Sequence, residues 1–278
     1  MRCQWDLFLY LLPPWLRNEL DSYSETLLEL HMRSGQEPEL IMIGGSVCIK
    51  NAISKDDIFY CINAATKYSP WTSATMSKGF ITAPGGHRIG ICGIFTEGTA
   101  GIGNITSLCL RVARDFPGIS TELWKHNDSI LIIGQPGCGK TTLLRDLIRR
   151  KSDFCFRNIA VIDEKSEIFP FHQQKPCFPA GKRTDILTGF TKSKGIEMLL
   201  RNMSPGIIAV DEITAAEDCN ALTQASHCGV KLFATAHAEC ISDLNKRPIY
   251  KQLMNSRIFE SVVIMQPDKT WKVERVDK

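Results

Sequence analysis

The segment with the clearest chemical meaning is residues 134–142, which read Gly-Gln-Pro-Gly-Cys-Gly-Lys-Thr-Thr. It matches the pattern G-x-x-x-x-G-K-[ST], with an apolar run before it and a helical pattern after it. In such a loop, main-chain N–H groups surround phosphate oxygens, the lysine contacts the β- and γ-phosphates and the next hydroxyl coordinates magnesium. The sequence therefore predicts that Lys140 and Thr141 act on ATP and Mg²⁺. The residues expected to contact the nucleotide are Gly134, Gln135, Pro136, Gly137, Cys138, Gly139, Lys140, Thr141 and Thr142.

A pair of acids follows a second apolar run. Residues 207–210 are continuously apolar, and Asp211 and Glu212 come directly after them. Ligands of open α/β sheets bind beyond the carboxyl ends of the strands, so both carboxylates are expected at the nucleotide site. We expect Asp211 to hold the magnesium ion together with Thr141, and Glu212 to accept a proton from the attacking water. A glutamate in this position favours hydrolysis over phosphate transfer to a small molecule.

Two further predicted strands also end in polar residues. The apolar run 159–162 is followed by an acidic segment in which Glu164 is expected to orient water or the metal. The run 232–236 ends at His237, which is expected to sense the γ-phosphate through a hydrogen bond, with Thr235 as the alternative. A purely structural role is the competing interpretation of both Glu164 and His237.

Composition places the chain among globular proteins. Of its 278 residues, 44% are hydrophobic and 23% are charged, which excludes a disordered or fibrous protein. The net charge of +3 is too small to indicate a dedicated nucleic-acid or anionic-membrane binder. The 11 cysteines are odd in number and include no C-x-x-C pair, so they are expected to be reduced, as in a cytoplasmic protein.

The second half of the chain predicts an α/β domain. Its apolar runs lack polar alternation, as required of parallel strands that are covered on both faces. These runs are residues 130–133, 159–162, 207–210 and 230–234, and the helical patterns between them are 141–151, 194–203 and 214–228. Alternating strands and helices indicate a doubly wound, mainly parallel sheet. Residues 170–193 are expected to form a long loop. Arg145, Asp146, Arg149 and Arg150 are expected to lie on the solvated face of the first helix, with a binding patch as the alternative for the arginines.

The first half predicts a smaller α+β domain. A helix is expected over residues 14–33, followed by short strands joined by glycine-containing turns near residues 44 and 85. We place the domain boundary so that residues 1–120 form this domain and 121–278 form the α/β domain. The apolar stretch 5–16 is too short to span a membrane, so we expect a buried helix, with a membrane or membrane-protein contact as the alternative.

The motifs together resemble those of the RecA-like ATPases of type II and type IV secretion systems. More narrowly, they resemble the stage III sporulation protein AA family of spore-forming bacteria. The resemblance covers most of residues 105–265 and is weaker before them. It rests on residues 134–142, 161–168, 183–185, 200–205, 210–212 and 234–237.

This resemblance implies a RecA-like core that follows a small amino-terminal domain in the sequence. It further implies a cytoplasmic motor that forms a homo-oligomer, expected to be a hexameric ring, at the mother-cell face of the membrane. Its partners would be membrane proteins of a channel between mother cell and forespore. Ring ATPases of this kind place an arginine of one subunit at the nucleotide of the next. The candidates in the amino-terminal domain are Arg111 and Arg114, together with Arg88. Arg183 and Arg201 are alternatives within the RecA-like core.

Two other functions remain open from the sequence. One is a nucleotide-gated scaffold that binds ATP with little turnover, although such a protein does not need Glu212. The other is a RecA-like ATPase that acts on nucleic acid. The modest charge and the absence of a strip of basic and aromatic residues for stacking bases do not favour nucleic acid as a partner.

Overall fold

The computed structural model describes residues 2–42, 44–66, 79–94, 104–155, 157–172 and 174–276. They divide into two compact units. The first contains Met1–Asp115 and Pro170–Phe178, and the second contains Phe116–Phe169 and Pro179–Lys278. The sequence-based boundary after residue 120 assigned residues 170–178 to the carboxy-terminal domain, whereas this segment lies within the first unit.

The first unit is built on a six-stranded sheet in which all neighbours are antiparallel. Its strands are β1 (Leu27–Arg33), β2 (Glu39–Met42), β3 (Gly45–Cys48), β4 (Phe80–Thr82), β5 (Arg88–Gly93) and β6 (Ile105–Arg111). Their order across the sheet is β3-β2-β1-β6-β5-β4. The central pair β1 and β6 aligns Leu30 with Leu110, and both side chains are fully buried.

Helices α1 (Trp5–Tyr10), α2 (Pro14–Leu20) and α3 (Lys55–Thr66) supply the rest of this unit's core. Phe8, Leu12 and Leu16 of the apolar amino-terminal stretch are fully buried, as expected of a packing segment. Ser54 begins α3 with a capping box, because its hydroxyl accepts the Asp57 N–H while the Asp57 carboxylate accepts the Ser54 N–H. Among the described helices, none is long and apolar enough to cross a membrane.

The prediction of one helix over residues 14–33 is wrong. The α-helix ends at Leu20, and β1 occupies residues 27–33. Leu30 and Met32 point into the core, whereas the residues between and beside them are partly exposed. This alternation has the period of two that defines a half-buried strand, and it outweighs the helical spacing of the preceding leucines.

The predicted loop over residues 170–193 contains regular structure. Strands β9 (Phe171–His172) and β10 (Lys175–Pro176) form a small hairpin that packs within the first unit. Gly86 has a φ of 80°, and a Cβ atom there would lie 2.7 Å from Pro170 Cγ, so this contact requires glycine. Strand β11 (Thr184–Thr188) belongs to the sheet of the second unit.

The second unit contains a seven-stranded sheet. Its remaining strands are β7 (Ile130–Ile133), β8 (Ile159–Asp163), β12 (Ile207–Val210), β13 (Lys231–Ala236), β14 (Ser261–Met265) and β15 (Trp271–Arg275). The order is β11-β8-β12-β13-β7-β14-β15, and every pair is parallel except β14 with β15. The predicted mainly parallel α/β fold is therefore confirmed.

Helices pack on this sheet and bury its apolar strands. They are α4 (Lys140–Phe154), α5 (Lys192–Asn202), α6 (Ala216–His227), α7 (Ile241–Lys246) and α8 (Pro248–Asn255). Every residue of β7 and β12 is buried. Full burial of a large aliphatic side chain contributes roughly 1.5–3 kcal/mol, so these strands form a rigid base for the loops at their carboxyl ends.

The prediction that Arg145, Asp146, Arg149 and Arg150 face solvent is wrong for the first three, which are buried, whereas Arg150 is partly exposed. The Asp146 carboxylate accepts hydrogen bonds from Gly118 N, from Ser120 N and Oγ, and from Arg149 Nη2, at 2.7–2.9 Å. Burial alone would raise the pKa of Asp146, but these hydrogen bonds outweigh burial and hold the pKa below 3.8. The Asp146 carboxylate thereby joins residues 118–120, near the start of the second unit, to helix α4.

We expect Asp146→Ala to lower the free energy of unfolding by about 3–5 kcal/mol, because it leaves the buried Arg149 without its anionic partner. Urea unfolding followed by tryptophan fluorescence measures the change. The low pKa of Asp146 implies stabilisation that is complete above pH 3.8 and lost as the pH falls through the folded-state pKa. The variant should therefore lose stability less steeply on acidification.

Asp153→Ala is the matched control, since this exposed carboxylate on the same helix accepts one hydrogen bond, from Lys182 N at 3.0 Å. Its loss should cost at most about 1 kcal/mol. Equal stability of the two variants would contradict a special role for Asp146.

Candidate functional site

The loop of residues 134–142 connects β7 to the amino terminus of α4. Gly139, which precedes the helix, has a φ of 98°, in the left-handed region that favours glycine. A Cβ atom on Gly134 would lie 2.6 Å from Cys138 Sγ and 2.9 Å from Met265 Cβ, so this position has no space for a side chain. The loop therefore presents its backbone at the positive end of a 15-residue helix, an arrangement that binds phosphate and other anions.

Lys140 lies within this loop and is 7% exposed. Its Nζ donates to the carbonyl oxygens of Gly134 and Gln135, both at 2.9 Å, and lies 3.1 Å from His237 Nδ1. Burial lowers the pKa of Lys140, although neighbouring anionic groups oppose the shift. The ammonium group is thus held on the loop by neutral acceptors that a phosphate can replace.

The hydroxyl of Thr141 meets the carboxylate predicted to share its metal. Thr141 Oγ1 donates to Asp211 Oδ2 at 2.7 Å, although β12 is separated from β7 by β13. Strand β13 bridges the gap, because the Thr235 hydroxyl donates to the other oxygen of Asp211 and accepts the Glu212 N–H. Thr235 is fully buried, so it positions the two acids rather than facing a ligand.

Glu212 is held in a conformation that is rare for a residue with a side chain. Its φ is 53°, in the left-handed region, where such residues cost of order 1–3 kcal/mol. Its Oε2 accepts from Lys165 Nζ at 3.1 Å, and its Oε1 lies 2.9 Å from His237 Nε2. Burial opposes ionisation, but the hydrogen bond and charge of Lys165 and the hydrogen bond of His237 lower the pKa of Glu212 below its usual value.

His237 links the loop lysine to the carboxylate. Nδ1 lies 3.1 Å from Lys140 Nζ, and Nε2 lies 2.9 Å from Glu212 Oε1. A neutral ring with its proton on Nε2 satisfies both contacts, because Nδ1 then accepts from the ammonium group and Nε2 donates to the carboxylate. His237 thus lies at its predicted position beside the phosphate-binding loop. It also connects Lys140 to Glu212 through hydrogen bonds that the sequence alone does not reveal.

Glu164 lines a second part of this cleft. Its Oε2 accepts from Lys192 Nζ at 2.9 Å, and that buried lysine also lies 3.8 Å from Asp218. The preceding Asp163 is buried and accepts the N–H groups of Glu167 and Phe169, which makes it a turn-forming residue, and burial raises its pKa to about 6. The cleft is lined by Asp163, Glu164, Lys165, Glu167, Lys192, Asp211 and Glu212.

Lys165 and Lys192 are missing from the predicted site. Lys165 stands inside the acidic segment that follows β8, so its position offered a signal. Lys192 lies 28 residues beyond Glu164, at the first turn of α5, and no local pattern connects the two. Only the parallel pairing of β8 and β11 brings the start of α5 towards this edge of the sheet.

A cavity of about 340 Å³ opens beside the phosphate-binding loop. Its size falls in the range of small-molecule sites. The side-chain amide of Gln135, on its lining, donates a hydrogen bond to Glu239 Oε1 at 2.9 Å. The lining residues are Gly134, Gln135, Pro136, His237, Ala238, Glu239, Cys240, Asp243, Lys246 and Arg247. Space for a ligand thus adjoins both the loop and His237.

Of the predicted arginines, Arg88, Arg111 and Arg114 lie in the first unit, and the alternatives Arg183 and Arg201 lie in the second. Arg111 is on β6 with its side chain 59% exposed, and its Nε donates to Glu29 Oε1 at 3.0 Å. Arg114 donates from Nη2 to the Leu27 carbonyl oxygen at 2.7 Å. The Arg88 guanidinium lies 4.2 Å from the centre of the Phe80 ring. Of Arg111 and Arg114, the first is the more exposed to solvent.

Known structures resemble this fold across most of the chain. The Legionella pneumophila ATPase DotB aligns with a TM-score of 0.59 at 15% identity, covering 90% of this chain and 76% of DotB. The pilus retraction motor PilT, solved with bound ADP, aligns with a TM-score of 0.63 at 15% identity and the same coverage. The fold is that of the RecA-like secretion ATPases, preceded by an amino-terminal α+β domain.

Sequence comparison gives a narrower relationship. The stage III sporulation protein AA of Bacillus subtilis (strain 168) is 36% identical over 266 residues, which span 90% of this chain and 87% of that protein. The family model of sporulation stage III, protein AA matches residues 14–275, and so includes the phosphate-binding loop and both acidic strand ends. On these two findings, the chain belongs to the sporulation stage III protein AA family.

Proposed function

We propose that this protein is a magnesium-dependent ATP hydrolase that works as a ring motor for a sporulation secretion complex. The observation that carries the proposal is the 2.7 Å contact between Thr141 Oγ1 and Asp211 Oδ2, next to a loop that holds Lys140 by carbonyl groups. No other pair of described strand ends combines a phosphate-binding loop with facing acids. The similar motor PilT was solved with ADP bound, which supports a nucleotide ligand.

The residues at this position suit a magnesium ion. Magnesium prefers oxygen ligands at 2.0–2.1 Å in an octahedron, in which neighbouring oxygens lie about 2.9 Å apart. The hydroxyl of Thr141 and the carboxylate of Asp211 are such ligands, and their oxygens are already at a similar separation. When bound, the ion supplies charge that neutralises the phosphate oxygens. Thr235 would keep the Asp211 carboxylate in place.

Glu212 is the proposed general base. Its low pKa keeps it ionised at neutral pH, so it can accept a proton as a water oxygen attacks the γ-phosphorus and ADP leaves. In the structure both carboxylate oxygens of Glu212 accept hydrogen bonds, from Lys165 and His237. The glutamate must exchange at least one of these partners for the attacking water. Glu164, held by Lys192, is proposed to help orient that water or the ion.

His237 is proposed to report the state of the nucleotide to Glu212. In the structure Lys140 is shared between two carbonyl groups and the His237 ring. A γ-phosphate that draws Lys140 away leaves Nδ1 of His237 without the ammonium group. The altered hydrogen bonding of the imidazole then changes the contact between Nε2 and the Glu212 carboxylate. This gives His237 the role of a γ-phosphate sensor through contacts that already exist.

We place the motor as a hexameric ring at the mother-cell face of the membrane, in the cytoplasm, with membrane proteins of the sporulation channel as partners. Membership of the sporulation family and the secretion-ATPase fold support this location. Arg111 is the preferred arginine to act on a neighbouring subunit, because its side chain is exposed and its ion pair with Glu29 lies at the surface, where such pairs contribute little. Arg114 is the second choice.

The competing functions differ in their response to two assays. A nucleotide-gated scaffold binds ATP without turnover, whereas a motor on nucleic acid is strongly stimulated by single-stranded DNA. The ion-paired Glu212 favours hydrolysis over the scaffold. ATPase rates with and without single-stranded DNA separate the remaining two.

Lys140→Ala should abolish ATP binding, because it removes the cation of the loop, while Glu212→Gln should bind ATP and lose turnover. Bound ATP at 100 times its Kd stabilises a protein by about 2.7 kcal/mol, so thermal unfolding with Mg-ATP measures binding and phosphate release measures turnover. The controls are Lys194→Ala and Glu217→Gln, both exposed. Normal turnover by Glu212→Gln would remove that residue from the mechanism.

Mixing two inactive variants tests the arginine. Arg111→Ala should lower turnover by about 10³-fold or more and leave ATP binding intact. In a ring that also contains Glu212→Gln subunits, an Arg111→Ala subunit keeps its own Glu212 and receives Arg111 from its neighbour. The mixture should therefore regain part of the activity that neither variant has alone.

Particle mass with a non-hydrolysable ATP analogue should shift from monomer to a ring, and co-purification of an untagged variant with a tagged one shows that the variants mix. Arg275→Ala, an exposed arginine of the second unit, serves as the control. Mixed rings without recovered activity would exclude Arg111 as the residue that acts across subunits.

A further inference from the structure

A cluster of three metal-ligand types lies on the sheet of the first unit. Glu29 and His31 are two residues apart on β1, so their side chains leave the same face of the strand. Cys109 is the residue of β6 directly opposite His31 in the antiparallel register. All three side chains are partly buried, and their ligand atoms lie within 4.8 Å of one another.

The distances within this cluster are those of a coordination site. Glu29 Oε2 lies 3.2 Å from His31 Nε2, and Cys109 Sγ lies 3.7 Å from the oxygen and 3.8 Å from the nitrogen. In tetrahedral zinc sites, with bonds of 2.0–2.3 Å, neighbouring ligand atoms are about 3.3–3.6 Å apart. Shifts of a few tenths of an ångström would therefore place all three atoms at bonding distance from one ion.

The surroundings also fit a metal site. Arg111 Nε binds Oε1 of Glu29 at 3.0 Å, which leaves Oε2 facing the histidine and the cysteine. Such outer hydrogen bonds orient the ligands of known metal sites. Arg33 Nη2 lies 3.5 Å from His31 Nδ1, but the same guanidinium pairs with Glu39 at 3.0 Å. If Nε2 binds a metal and the ring proton moves to Nδ1, Arg33 can turn towards Glu39.

We propose that Glu29, His31 and Cys109 form a zinc-binding site that joins β1 to β6. The class of ligand is a borderline-soft divalent cation, since a thiolate, an imidazole and a carboxylate together suit zinc and cobalt better than magnesium or calcium. Binding releases the thiol proton to solvent. Three protein ligands leave a fourth position for water or for a group from another molecule. The three ligands take no part in the nucleotide chemistry proposed above, although Arg111, which binds Glu29, is also the arginine proposed to act on a neighbouring subunit.

Cobalt(II) is the probe, because a cobalt thiolate absorbs in the near ultraviolet and tetrahedral cobalt absorbs in the visible. The metal-stripped full chain, without nucleotide, should bind one equivalent of cobalt with both absorptions, and zinc should displace it. Cys109→Ser should lose the near-ultraviolet absorption. His31→Gln should weaken cobalt binding by at least about 10-fold, as expected when a metal site loses part of its ligand shell.

Cys48→Ser and Cys92→Ser are the matched controls, since both thiols are exposed on the same sheet. Each should bind cobalt like the wild-type chain, and circular dichroism checks that every variant is folded. Failure of the wild-type chain to take up one equivalent would overturn the proposal. So would a thiolate absorption that persists in Cys109→Ser, or wild-type affinity in the folded His31→Gln protein.

Discussion

The site of the second unit depends on the hydrogen bond between Thr141 Oγ1 and Asp211 Oδ2, because it joins two strand ends that are not neighbours. The phosphate-binding loop follows β7, and the acids follow β12, with β13 between them. Parallel pairing brings all three carboxyl ends to one edge of the sheet, but pairing alone does not bring side chains into contact. The contact also needs the buried Thr235, which fixes Asp211 from the side.

The rigidity of this arrangement comes from the apolar strands behind it. Each strand that delivers a site residue is buried along its length or nearly so. The left-handed conformation at Glu212 falls on the residue proposed to change partners during hydrolysis. A left-handed conformation turns the chain sharply after Asp211, so successive carboxylates face different neighbours. One contacts the threonine of the loop, and the other contacts His237 and Lys165.

Much of the second unit could be predicted from the sequence, because its signals are local. The loop motif, the apolar runs and the acids after them are each contained in fewer than ten residues. The predicted sheet nevertheless omits β11, a half-exposed edge strand, and the pair β14 and β15. The burial of Asp146 could not be read from its helix, since its partners Gly118 and Ser120 lie 28 and 26 residues away. Lys192 was missed for the same reason.

In the structure, the groups proposed to act on a nucleotide contact one another. Lys140 contacts His237, His237 contacts Glu212, and Glu212 forms an ion pair with Lys165. A triphosphate can displace these contacts only by offering stronger ones, and its charge makes the exchange favourable at Lys140. Because the same ring contacts both Lys140 and Glu212, the exchange at the lysine changes the environment of the carboxylate. In the proposed mechanism, nucleotide binding and readiness for hydrolysis are thereby coupled through the side chain of His237.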